Sequence, residues 1–280
     1  MKADCHIHAV LDGVDWKGAI RRHENRPEDG FLRNMLQTYA DLGYTYLRDG
    51  GDRWGAGLRA RELAPEYGIT YRTPGAPLCC KGHYGGFIGT GYETLTEYAQ
   101  KVQEAKRTGC DFIKIMISGL MDFNQFGVLT EPGMEKEMIR ELIHIAHEEG
   151  MAVMAHANGQ ETVIPAAEAG VDSVEHGAYL GEESLWAMKQ AGTVWVPTLS
   201  TVGNLRGRGR FDEDAVAKIL ENTMYYVNRF CAMGGLIAPG TDAGAWAVPH
   251  GSQTEVPLLQ QAGATPELLE AGIAKIMEKF

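Results

Sequence analysis

Eight apolar runs of strand length, each followed by a longer amphipathic stretch, predict an α/β protein folded as a single (β/α)8 TIM barrel. Strands that alternate with helices pair in parallel through right-handed crossovers, and eight such units in 280 residues match a closed barrel. The competing architecture is an open doubly wound sheet, but no Gly-x-Gly-x-x-Gly follows the first strand. No linker, low-complexity tract or second composition zone interrupts the pattern, so one domain over residues 1–280 is expected.

In chain order the strand candidates are "KADCHIHA", "YTYLRDG", "GITYRTPG", "DFIKIMISG", "MAVMAHA", "VDSVEHG", "TVWVPTLS" and "GLIAPGTDAG". Each is short, apolar and bounded by turn residues. The helix candidates are "PEDGFLRNMLQTYADLG", "YETLTEYAQKVQEAKRTG", "EKEMIRELIHIAHEEG", "ETVIPAAEAG", "EESLWAMKQAG" and "DEDAVAKILENTMYYVNRFCAMG", several closed by the glycine expected just past a helix end. A last helix starts at a Thr265 cap with Pro266 in its first turn.

Composition narrows the function classes. A formal net charge of −11 argues against nucleic-acid partners and anionic membrane surfaces. Five cysteines, an odd number that includes the vicinal pair Cys79 and Cys80, do not read as a disulfide framework. No apolar run approaches the ~20 residues of a membrane span, and no signal peptide is visible. The expectation is a soluble cytoplasmic protein acting on a small molecule, with homo-oligomerisation left open.

Polar residues interrupt these runs at telling places. In a strand, positions i and i+2 share a face, so "HIH" sets His6 and His8 side by side with Ile7 opposite. Lys114 falls in strand 4, His156 in strand 5, His176 in strand 6 and Asp242 in strand 8. Burying such groups alone is costly, so they need partners or something to ligate. Catalytic groups of a barrel sit at the C-terminal ends of its strands. Four imidazoles, a carboxylate and a lysine at one barrel mouth suit a pair of divalent cations, and imidazole favours zinc.

These residues resemble those of the amidohydrolase superfamily of metal-dependent hydrolases, nearest its imidazolonepropionase-like and prolidase-like branch. The resemblance runs from "DCHIH" through "DFIKIMISG", "MAHANG" and "DSVEHGAYL" to "APGTDAG". It implies that His6, His8 and Asp242 bind a first metal and His156 and His176 a second, with an N-carboxylated Lys114 as the bridge. Relatives in this branch carry a small β-sandwich built from segments flanking the barrel. Here strand 1 begins near residue 2 and the chain stops at "TPELLEAGIAKIMEKF", so a bare barrel is expected.

The surrounding loops supply substrate-binding candidates. "APLCCKGHYGGFIG" follows strand 3 and is rich in glycine, which makes His83 a candidate contact. Tyr179 lies three residues past His176, where its phenol either bonds a substrate carbonyl or packs as an aromatic. Arg206, Arg208 and Arg210 follow strand 7 in a run that is either a solvated loop or an anion-recognising lid, with Arg208 at its centre. His144 and His147 belong to an outer helix, and His23 to a charged loop or early helix.

Two cations sharing a water lower its pKa towards neutrality, and the resulting bridging hydroxide would cleave a small amide, dipeptide, N-acyl amino acid or cyclic amide. Asp242 would take the water's proton and pass it to the leaving amine. A lactonase, a one-metal deaminase and a metal-binding barrel without turnover are the alternatives. No Gly-x-Ser-x-Gly elbow points to a serine nucleophile.

Overall fold

A computed structural model describes residues 2–280. The chain opens with β1 (Ala3–Ile7), α1 (Trp16–His23) and α2 (Asp29–Asp41), then β2 (Tyr46–Asp49), α3 (Ala56–Leu63), β3 (Thr70–Arg72), β4 (Leu78–Cys80) and β5 (Thr90–Tyr92). It continues through α4 (Leu95–Arg107), β6 (Ile113–Met116), α5 (Lys136–Glu148), β7 (Val153–Ala157), α6 (Gln160–Glu168), β8 (Ser173–His176), α7 (Glu182–Ala191) and β9 (Val194–Val196). The last elements are α8 (Leu199–Gly203), α9 (Glu213–Ala232), β10 (Leu236–Ile237), α10 (Glu255–Gln261) and α11 (Pro266–Lys279).

All eight expected strands are present and pair in parallel. Backbone hydrogen bonds close the ring at β1. Cys5 N donates to Pro239 O at 2.8 Å, Asp242 N to His6 O at 2.7 Å and His8 N to Ala243 O at 2.7 Å. The third strand differs from the expectation. Its first half, β3, pairs with β2, and after a bend at Gly75 and Ala76 its second half, β4, pairs with β6. The segment read as a glycine-rich loop therefore contains strand structure, with β5 added beside β4. Glycine content masked those three-residue strands.

Local chemistry sets the helix ends. Asp212 accepts from Ala215 N at 2.8 Å at the start of α9, Thr94 accepts from Glu97 N at 3.1 Å at α4, and Thr265 accepts from Leu268 N at 3.3 Å at α11. Gly192 ends α7 in the left-handed conformation, φ +69°, which glycine adopts without a Cβ clash. Helices α1, α3, α8 and α10 are eight residues or shorter and left too little periodicity to be read in advance.

Apolar layers fill the space between sheet and helices on both sides of the ring. At the strands' N-terminal end the last helix seals the barrel: Phe280 meets Phe112 edge-on with centroids 5.1 Å apart, and the Arg48 guanidinium lies 4.4 Å above the Phe280 ring. That plug leaves the C-terminal end of the barrel as the open one.

Candidate active site

A cavity of about 430 Å³ occupies the open end. His6, His8, Lys114, His156, His176 and Asp242, the six candidate ligands, all line it. The side-chain alternation expected for "HIH" holds, since both imidazoles turn inward with their Nε2 atoms 3.4 Å apart. A register shift in β1 between Asp4 and Ile7 falls at this point and re-aims the strand's end. Gly240 gives the site its room: a Cβ there would lie 2.8 Å from the His6 Cβ.

Three of the residues around the centre are held in the left-handed region: His176 at φ +67°, Thr198 at φ +50° and Asp242 at φ +56°. Each costs roughly 1–2 kcal/mol, a strain that the surrounding packing must offset. At His176 the change of direction lets consecutive strand residues serve one interior: His176 lines the cavity while Glu175 reaches His6 from beneath.

The hydrogen bonds set which nitrogen faces the cavity. Glu175 is fully buried, and although burial pushes its carboxyl up, the Arg48 guanidinium, the His6 hydrogen bond and the Lys114 charge together outweigh this and hold it down at about 2. As a carboxylate it can only accept, so His6 Nδ1–H donates to it at 2.7 Å and Nε2 is left as a lone pair. His156 Nε2–H donates to Gly119 O at 3.2 Å, and His176 Nδ1 bonds Thr198 Oγ1 at 2.7 Å. The rings of His156 and His176 lie 4.6 Å apart, and those of His6 and His176 5.2 Å apart.

Burial holds these imidazoles neutral. It lowers His6 to about 4 and His156 to about 3, with the nearby Lys114 charge acting in the same direction, and it takes His176 well below the ordinary imidazole value. Burial also lowers Lys114 to about 8. For Asp242 burial raises the carboxyl pKa, but His6 and His8 outweigh it and the net shift is downward. A carboxylate beside neutral imidazoles is a metal-ready state of ionisation.

The donor set fits divalent metal. His6, His8 and Asp242 each present a ligand atom, all within 4.8 Å of one another. Asp242 Oδ1 stands 3.2 Å from His8 Nε2 and 3.5 Å from His6 Nε2, without hydrogen-bond geometry to either. Lys114 Nζ, in a side chain 1% exposed, and His8 Nδ1 also have no partner among the described residues. Buried polar atoms without partners, clustered with imidazole and carboxylate donors, fit a divalent cation.

Three expected substrate contacts are not brought into the cavity. His83 is exposed and turns to Glu131, Nδ1 to Oε2 3.1 Å, because its neighbour Tyr84 is the residue that turns inward and stacks 4.7 Å from His156. Tyr179 packs edge-on against Phe126 at 5.5 Å, the aromatic-packing alternative. Arg208 is exposed and donates from Nε to Asn204 O at 3.3 Å, while Arg210 lines the cavity instead. Sequence reasoning also passed over Glu175 and Arg48, an ion pair at 2.8 Å in the barrel interior. The signal that singled out Lys114, a charge inside an apolar strand, was present in "SVEHG" and "YLRDG" as well.

The amidohydrolase family model matches residues 29–276. The chain belongs to the amidohydrolase family. The matched span begins after His6 and His8, so those two are placed by the geometry above. An uncharacterised protein of Mycobacterium tuberculosis is 29% identical over 271 residues, covering 94% of this chain and 68% of that protein. Ochratoxinase of Aspergillus niger is 30% identical over 156 residues, 52% of this chain and 28% of the enzyme. Among solved structures, a Xaa-Pro dipeptidase with methionine bound in its active site aligns with TM-score 0.78 and 21% identity, covering 99% of this chain and 75% of that one. The crystal structure of A. niger ochratoxinase aligns with TM-score 0.75 and 20% identity over 98% and 70%. The barrel is thus the amidohydrolase barrel, and this family member is an enzyme of the amidohydrolase type. Among the described residues no helix is long and apolar enough to cross a membrane.

Proposed function

We propose that this amidohydrolase family member is a binuclear metal hydrolase of a small C–N substrate: an amide, dipeptide, N-acyl amino acid or cyclic amide. The observation that carries the reading is the convergence of six candidate ligands on one cavity with Lys114 Nζ buried and unpartnered. His6, His8 and Asp242 would hold one ion and His156 and His176 the other, with an N-carboxylated Lys114 between them. When bound, two zinc ions would supply Lewis acidity to the scissile carbonyl and a bridging hydroxide as nucleophile.

The chain's own residues do the rest. Glu175 holds His6 in the tautomer whose lone pair faces the cavity, and Thr198 orients the His176 ring through its Nδ1. Asp242, kept as a carboxylate, accepts the proton of the attacking water and returns it to the leaving nitrogen, without which an amine leaves poorly. The apolar walls exclude bulk water and strengthen each of these interactions. The fungal ochratoxinase and the Xaa-Pro dipeptidase support a C–N substrate over a lactone.

Elemental analysis followed by a screen of dipeptides, N-acyl amino acids and lactones tests the proposal. Two ions per chain and turnover of a C–N substrate are expected. One ion with release of ammonia would favour a deaminase, and turnover of lactones alone a lactonase. Loss of every ion without loss of rate would overturn the metal reading.

A further inference from the structure

Two aromatic walls line the cavity. One runs outward from His156 through Tyr84, Phe87 and Trp16, with successive ring centroids 4.7, 5.9 and 5.7 Å apart. The other joins Phe123, Phe211 and Trp246, with centroids 5.2 and 6.0 Å apart. The hydrolase reading turns Lys114 into a carbamate, which leaves Arg210 as the fixed cation in this lining. Arg210 lies on the segment between α8 and α9.

The Arg210 side chain is exposed at the cavity mouth, with its guanidinium 4.2 Å from the Trp246 ring centroid and 5.3 Å from that of Phe211 and with no carboxylate partner among the described residues. Stacking holds the plane of a guanidinium by its face and leaves the N–H edge free. That edge is the surface that binds a carboxylate with two parallel hydrogen bonds.

The geometry points to Arg210 as the specificity residue for an anionic substrate: an amide with a flat or bulky apolar body and a free carboxylate, as in an N-acyl or dipeptidyl derivative of an aromatic amino acid. This rests on the hydrolase reading above and narrows it. A neutral amide of the same shape fills the same walls but leaves the guanidinium edge unused.

N-acetyl-phenylalanine and N-acetyl-phenylalanine amide differ in that charge alone. Binding of each to the metal-loaded protein is followed by tryptophan fluorescence, and hydrolysis of each by kcat and KM. The acid is expected to bind the wild type at least about tenfold more tightly than the amide. Arg210→Ala should cut that preference at least about tenfold, acting on KM and not on kcat, with Arg210→Lys in between. Arg208→Ala, which changes an exposed side chain outside the lining, should keep the preference. Attraction of the acid to the metal centre is common to all variants, so the reading is the drop between them. An acid-to-amide ratio that Arg210→Ala leaves unchanged, or no binding of the acid to the wild type, overturns the assignment. Arg210-dependent binding without hydrolysis of any C–N substrate would instead sink the proposed reaction and leave the anion site standing.

Discussion

Lys114 is the residue whose state most depends on its surroundings. Burial lowers its pKa to about 8, which favours the neutral amine that can take up carbon dioxide. Replacing Lys114 by Ala should strip metal and activity together, with a short carboxylic acid restoring part of both. Retention of two ions and normal turnover would show that the bridge is misassigned. Asp242→Asn should keep the fold and some metal while kcat falls by about 10²–10⁴, since an amide cannot accept the proton; an effect no larger than that of Glu148→Gln, a change to an exposed outer-helix carboxylate, would contradict the role. Beneath them, Glu175→Ala leaves Arg48 charged and unpaired in the barrel interior. Urea denaturation should report a loss of about 3–5 kcal/mol.

At the scale of elements, the segment from β9 into α8 carries Thr198 against His176, and it is fastened from α10. The buried Glu255 carboxyl accepts from Leu199 N at 3.1 Å, Ser200 N at 2.7 Å and Ser200 Oγ at 2.8 Å. Burial outweighs these bonds and raises the Glu255 pKa from 4.5 to about 8. A raised carboxyl pKa means the folded state holds the proton more tightly than the unfolded one. Its contribution to stability is therefore full below about pH 4.5 and lost as pH rises through about 8. Glu255→Gln cannot titrate, so the melting temperature of the wild type relative to this variant should fall steadily between pH 5 and pH 8.5. A constant difference across that range would show that Glu255 is ionised throughout.

At the scale of the whole molecule, metal and fold are linked. The candidate ligands come from β1, β6, β7, β8 and the turn after β10, so an ion held among them ties together strands from around the ring. Any ligand that binds the folded chain alone stabilises it by RT ln(1 + [L]/Kd), about 4 kcal/mol at a thousandfold excess over Kd. Removing metal with a chelator should lower the melting temperature by several degrees, and adding zinc back should restore it along with activity. An unchanged melting temperature after verified metal loss would argue that the ligands are preformed and contribute nothing to the fold.

The sequence by itself determined the eight strands, the parallel order and the six inward polar residues, because each leaves a local mark: an apolar run, a capped amphipathic stretch, a charge where an apolar residue belongs. It also implied the family, and the amidohydrolase match bears that out. Only the tertiary structure decided the split third strand, whose two halves pair with different neighbours, and the choice of Tyr84 over His83 and Arg210 over Arg208 at the cavity. Those choices turn on side-chain direction in irregular segments, where no period of two or 3.6 relates position to face. Glu175 and Arg48 belong to the same class of decision. Each is a charge on a short strand, and what makes the pair tolerable is that the closed ring brings side chains 127 residues apart in sequence to within 2.8 Å of each other in the barrel interior.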